Sequence, residues 1–285
     1  MIDGETVSIA EMECYVAAAI LVMEQYGGVP LDWEGETEGE PTGAYVRGQA
    51  LSMAVNYRVM ERRAEEEGLS LTDEEHQRID ERLQADIAGM GEAEYRRRLA
   101  EEGFTESFHR YHTYEIPYLQ DKLWSGLFGE GASLYPDDDA VRAHYRARYR
   151  NAVFLLLFDA DGSEALLTRA RAGEDFAVLA EDFMDTLLTY DAVGSPVGPG
   201  QMDDAFQTAL EALDENEVSG LVENSLGFYL IKRLPDDPDY CEENMESIRY
   251  TYSWELFAER MQSWEQEADV KIKDVFASLD MKKFA

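Results

Sequence analysis

A chain of 285 residues with 45% apolar and 11% aromatic residues is large enough to bury a core and to divide into one or two domains. Its 60 acidic residues against 25 basic ones give a formal net charge of −35, which repels nucleic-acid phosphates and anionic lipid head groups and argues against nucleic acid as a partner. The acidic residues are spread along nearly the whole sequence, the pattern of a solvated surface.

No apolar run approaches the roughly 18–20 residues that a membrane helix needs. No signal-type segment precedes Ile2, and the opening Met1-Ile2-Asp3-Gly4 suits a start placed after a removed export segment. Cys14 and Cys241 lie near opposite ends with no C-x-x-C, so neither a zinc site nor a redox motif is indicated, and a disulfide between them is left open.

From Ser8 to Tyr26, Ile9, Met12, Val16, Ile20 and Met23 recur at three- and four-residue steps, which predicts an amphipathic helix. Residues 27–43 combine breakers with acids and read as a mobile loop. A second helix is expected over 44–67, with Gly68 as its stop. Thr72-Asp73-Glu74-Glu75 has the form of a capping box. An aromatic helix over 105–128 contains Pro117, which predicts a kink. Pro136 followed by Asp137, Asp138 and Asp139 suits another helix start.

At Val153-Phe154-Leu155-Leu156-Leu157-Phe158 the periodicity changes to that of a buried strand, and Asp159-Ala160-Asp161-Gly162 reads as a turn rather than a calcium loop. Helices over 163–172 and 174–186, a loop from Thr189 to Gly200 and a helix over 203–213 follow. Strands are expected at Val218 to Val222 and Phe228 to Leu234, joined by the turn Asn224-Ser225-Leu226-Gly227. A long helical pattern then resumes from Glu242 to Phe276.

Within 151–234, four segments in order resemble the parvulin family of peptidyl-prolyl isomerases. Gly173-Glu174-Asp175-Phe176-Ala177-Val178-Leu179-Ala180 is similar to that family's G-x-D-F-x-x-L-A, and Gly200-Gln201-Met202-Asp203-Asp204-Ala205-Phe206 to its G-x-M-x-x-x-F. Leu213-Asp214-Glu215-Asn216-Glu217-Val218-Ser219 resembles its L-x-x-G-E-V-S turn, and the stretch from Val222 through Gly227-Phe228-Tyr229-Leu230-Ile231 its closing strand. The opening Gly4-Glu5-Thr6-Val7-Ser8 and the repeated steps of glycine followed by a capped helix resemble SurA-like and PrsA-type extracytoplasmic foldases.

The resemblance implies an α+β protein: a mostly helical SurA-like body formed by N- and C-terminal segments, with an inserted parvulin-like (FKBP-like) α/β module. The implied division is 1–150 as an N-terminal helical chaperone-like domain, 151–234 as the parvulin-like domain, and 235–285 as a C-terminal helix packing back on the N-terminal domain. It implies a folding factor for unfolded or proline-containing exported polypeptides, working outside the cytoplasm, with no cofactor and any membrane tether lying outside these residues. Met202 and Phe206 fall where the family forms its proline cradle. The positions of the family's polar catalytic residues are held by Phe154, Thr186, Asn224 and Tyr229, so that both usual histidines are replaced. Weak or absent isomerase activity is therefore expected; an active isomerase using the Met202/Phe206 cradle and a non-catalytic scaffold are the alternatives. His109 and His112, three apart, are read as core or surface histidines rather than metal ligands.

Overall fold

The computed structural model describes residues 1–28, 30–158 and 163–284; the turn expected at Asp159 to Gly162 lies outside the described residues. The chain divides into two compact units, Met1–Tyr135 with Trp254–Ala285, and Pro136–Ser253.

In the first unit, helix α1 (Ile9–Gly27) starts at Ser8, whose hydroxyl accepts the Glu11 N–H at 3.1 Å. Its middle turns are buried on every side, Tyr15, Val16, Ala18 and Ala19 being at most 2% exposed, whereas Ile9 is 38% exposed. The amphipathic expectation is corrected accordingly: three successive alanines let neighbouring elements close around the helix. The stretch read as a loop contains a small hairpin, β1 (Glu36–Thr37) and β2 (Glu40–Pro41), turned by Glu38 and Gly39, both with positive φ. Positive φ at both central residues matches the right-handed strand twist, a demand that Glu38-Gly39 meets through its glycine. Helix α2 (Thr42–Glu66) follows at once.

Helix α3 (Asp73–Met90) carries the capping box, with Thr72 and Glu75 satisfying each other's amides, and α4 (Glu92–Glu102) ends at Gly103 in the left-handed region. The aromatic helix runs as α5 (Glu106–Arg110), a π turn (Tyr111–Glu115) and α6 (Ile116–Phe128). Pro117 therefore sits in the first turn of α6 rather than at a simple kink. The Ile116 N–H bonds to the Tyr111 carbonyl five residues back, the wider turn relieving the clash that the proline ring makes with the preceding turn. Trp124 and Trp254 stack with ring centres 4.9 Å apart, and Phe128 meets Phe257 edge-on.

The second unit opens with α7 (Asp138–Arg148), capped by the Asp137 carboxylate on the Ala140 N–H and tied by Asp138 to buried Arg249 at 2.6 Å. Its sheet is antiparallel with order β4-β3-β6-β5: β3 (Arg150–Leu157), β4 (Leu187–Val197), β5 (Val222–Glu223) and β6 (Phe228–Arg233). Between β3 and β4 lie α8 (Ser163–Arg171), α9 (Phe176–Asp182) and a 3₁₀ turn (Met184–Thr186). Helix α10 (Asp204–Ala212) precedes β5.

The loop expected from Thr189 to Gly200 is largely strand β4, paired with β3 from Leu187 to Val197. Its irregular look in sequence has a structural cause. The ladder shifts register between Ala152 and Phe154, and there the Asp191 carboxylate accepts the N–H groups of Val193 and Gly194 and the Ser195 hydroxyl, holding a bulge that has Gly194 at φ +93°. The strand expected at 218–222 reduces to one bridge, Val218 with Lys232, and to β5.

The single helical pattern expected over 242–276 is broken into α11 (Pro238–Glu243), α12 (Met245–Glu267) and α13 (Asp274–Ala277). After α12 the chain leaves helix because Asp269 and Val270 pair with the backbone of Asp3 and Ile2. Cys14 and Cys241 are both free and buried.

Candidate functional site

Side chains of a strand alternate between faces, and β3 divides its own strictly. Val153, Leu155 and Leu157 pack with α8 and α9 on one face, while Ala152, Leu156 and half-buried Phe154 join Phe206 and Leu210 of α10 on the other. Strand β6 does the same, sending Leu230 to the first face and Tyr229 and Ile231 to the second. The second face carries the candidate site.

Pairing places Tyr229 between Leu156 and Val222, and Phe154 between Ile231 and Asp191. Phe154, Phe206 and Tyr229 form a triangle of edge-on rings with centres 5.0 to 5.9 Å apart. Phe206 is fully buried at its base, Met202 is half-buried in the same cluster, and Phe154 is half-open above. Edge-on packing matches the quadrupoles of the rings and leaves an apolar surface of fixed shape.

The polar rim is set by Asp203, the cap of α10, whose Oδ1 accepts the Phe206 N–H at 3.0 Å. Its Oδ2 accepts the Asn224 side-chain amide at 2.9 Å, and the Tyr229 hydroxyl lies beside the same carboxylate. Partial burial would raise the Asp203 pKa, but the bonds from Asn224, the Phe206 amide and Tyr229 outweigh it and hold the carboxyl below its ordinary value. Burial, and then the bond to Asp203, push the Tyr229 phenol up. Asn224 is itself fixed by the turn it begins, since its Oδ1 accepts the N–H groups of Leu226 and Gly227. Gly227 is required there: at φ +158° a Cβ would lie 1.9 Å from the Leu157 carbonyl oxygen.

Of the residues singled out in the sequence, Phe154, Met202, Phe206 and Tyr229 thus come together, with Asn224 joined through Asp203. Thr186 stands apart. Its hydroxyl donates to the Phe183 carbonyl at 2.8 Å, and Phe183 packs on the opposite face of the sheet. His109 and His112 belong to the first unit, where the Tyr95 and Tyr57 hydroxyls hold them at 3.2 and 2.6 Å. Asp203 was missed by sequence reasoning. Its legible signal is an aspartate immediately before an apolar helix, which announces a cap but not that the free oxygen reaches a turn 21 residues later.

Residues 160–234 match the rotamase family described as the PPIC-type PPIase domain. The module is a parvulin-type domain. Over 106 residues, 35% of this chain and 36% of the relative, the sequence is 29% identical to foldase protein PrsA 1 of Listeria innocua. Over 105 residues, 35% of this chain and 24% of the relative, it is 33% identical to chaperone SurA of Chromohalobacter salexigens. The matched part of the chain thus spans about a third or less of the length of these two relatives. A crystal structure of peptidylprolyl isomerase PrsA from Bacillus anthracis aligns over 79% of this chain and 99% of that one, at 19% identity and a TM-score of 0.43, too loose a likeness to add to the sequence match.

In this parvulin domain the apolar and polar halves of the candidate site are chemically unequal. Half-buried Phe154 and Met202, backed by the buried rings of Phe206 and Tyr229, offer an apolar surface suited to a pyrrolidine ring. The polar groups are taken up by one another and by backbone amides.

Proposed function

We propose that this chain is a protein-folding factor that holds proline-containing segments of unfolded polypeptides on its parvulin domain, working outside the cytoplasm, with little or no acceleration of isomerisation. The observation that carries the reading is the aromatic triangle with Met202 beside it, in which half-buried Phe154 and Met202 leave part of an apolar surface open in a domain of the PPIC-type family. Support comes from the sequence likeness to PrsA foldases and to a SurA chaperone.

Rotation about an amide bond crosses a barrier of about 18–20 kcal/mol because twisting destroys resonance. A catalyst must bind the twisted amide better than either planar isomer. The cradle can grip the ring, but stabilising the twisted state needs a polar group free to meet the rotating carbonyl or the pyramidal nitrogen. The Tyr229 hydroxyl has one proton to donate, and the Asp203 carboxylate beside it competes for that hydrogen bond. Phe154, which has no polar atom, stands where the resemblance puts an imidazole. Binding then survives while the gain specific to the transition state is small.

The folding role is tested by aggregation of a chemically denatured client during dilution. Suppression at a molar ratio near one supports it, and no effect at several-fold excess contradicts it. An active isomerase is the second reading, favoured by the Asp203–Asn224–Tyr229 network. Among the described residues no helix is long and apolar enough to cross a membrane.

A further inference from the structure

Arg58, Glu61, Arg62 and Glu65 of α2 follow one another at steps of three, one and three, which puts all four on one helix face. Such a charged stripe ordinarily faces open water. Here it lines a cavity of about 380 Å³ within the first compact unit, with Tyr111 and Glu115 of the π turn also in its lining. That volume lies in the range of small-ligand sites, about 300–1,000 Å³.

The lining is out of charge balance. It holds five carboxylates, Asp3, Glu5, Glu61, Glu65 and Glu115, against the guanidinium groups of Arg58 and Arg62 and the imidazole of His76. The basic groups are already committed: Arg58 to Glu11 at 2.5 Å and Glu61 at 2.8 Å, Arg62 to Asp3 at 2.5 Å, and the His76 imidazole to Glu115 at 3.1 Å, Glu115 being paired as well with Arg110 outside the lining. Glu5 and Glu65, both exposed, have no ion-pair partner among the described residues. The Tyr111 hydroxyl is buried beside Glu61 yet makes no well-formed hydrogen bond there. Burial, with the charge of Glu5 adding to it, raises the Glu61 pKa in spite of Arg58 and Tyr111. A further cation would relieve all of these at once.

The rest of the wall says what kind of cation. Ile2, Leu71, Ile116 and Leu119 give the cavity an apolar side, and a lysine or arginine buries its methylene stem on such surface while its head keeps polar company. We propose that this cavity binds a lysine or arginine side chain of an extended polypeptide, its ammonium or guanidinium group meeting Glu61 and Glu65. The site is separate from the proline cradle and does not rest on it.

The test is calorimetric titration of the full chain with acetylated, amidated alanine pentapeptides carrying one central lysine, arginine, norleucine or glutamate and no proline, with propylammonium as the free-amine arm. Lysine and arginine peptides bind, and norleucine and glutamate peptides do not. Glu61→Gln with Glu65→Gln weakens the lysine peptide by about ten-fold or more, the scale of a lost charge-assisted hydrogen bond, while Met202→Ala leaves it unchanged. Glu65→Gln alone, at an exposed position, keeps the wild-type melting curve and still weakens binding several-fold. Equal affinity for the norleucine and lysine peptides overturns the proposal, as does unchanged affinity in both variants. Propylammonium binding as tightly as the lysine peptide overturns the assignment to a polypeptide side chain.

Discussion

Asp203 and Asn224 are 21 residues apart in sequence and 2.9 Å apart in space, the carboxylate that caps α10 taking the side-chain amide that begins the turn before β6. This one contact ties the helix bearing Phe206, with Met202 just before its cap, to the strand bearing Tyr229. Loss of a capping side chain costs about 0.5–2 kcal/mol, so Asp203→Ala should lower stability by about that much in urea unfolding and also loosen the ring triangle, seen as broadened aromatic NMR signals.

The charge on Asp203 can be separated from its geometry with Asp203→Asn, which keeps a capping acceptor. Because the folded carboxyl titrates below its ordinary value of 3.8, its stabilising contribution is complete above that value and is lost as pH falls through the lower folded value. Wild type should therefore exceed Asp203→Asn in stability at pH 6, with the gap narrowing as pH falls below 3.8 towards 3. A gap that is the same at both pH values would show that the carboxylate contributes only as an acceptor.

Phe206 and Met202 should separate stability from binding. Phe206 is fully buried, and Phe206→Ala removes a core ring at a cost of about 3–5 kcal/mol. Met202 is only half-buried, so Met202→Ala should melt close to wild type while weakening proline-peptide binding. Equal losses of stability in the two variants would mean that Met202 is simply core.

Gly227→Ala meets both a glycine-only backbone angle and the Leu157 carbonyl 1.9 Å from the new carbon. The expected destabilisation exceeds about 1 kcal/mol, read from the denaturation midpoint, with the β5–β6 turn amides losing hydrogen-exchange protection first.

In the first unit, His112 stacks against Phe108 and bonds to the Tyr57 hydroxyl. Burial, with the neighbouring His109 adding to it, lowers its pKa below 6.5. A base that is depressed in the folded state keeps its stability above the unfolded pKa and loses it as pH falls below. Stability should thus drop between pH 7.5 and 5.5, and His112→Gln should flatten that drop.

How far the sequence could be read varied with the range of the forces involved. Helix starts at Ser8, Thr72 and Asp137 were legible because caps act within three residues. The order of β3, α8, α9, α10 and β6 was legible from periodicity and resemblance. Strand β4 was not, since its pairing depends on β3 thirty or more residues away, and it carries Gly194 in its bulge and Pro196 beyond it, both signals of a loop. The hairpin at Glu36–Pro41 pairs locally and was hidden because its strands are only two residues long and lie among acids and breakers. At the site, the residue types of the cradle could be named in advance, but the bond from Asn224 to Asp203 and the approach of Tyr229 to the same carboxylate are tertiary contacts that spacing does not encode.

The central claim is that the cradle holds proline without speeding its isomerisation, and two-dimensional NMR exchange spectroscopy on a short Xaa-Pro peptide with the full chain tests it most directly. The account predicts peptide-induced shifts at Met202, Phe206 and Tyr229, lost in Met202→Ala, with the cis–trans exchange rate of the peptide unchanged from its uncatalysed value. Exchange cross-peaks that grow with protein concentration, or the absence of any shift at those three residues, would contradict it.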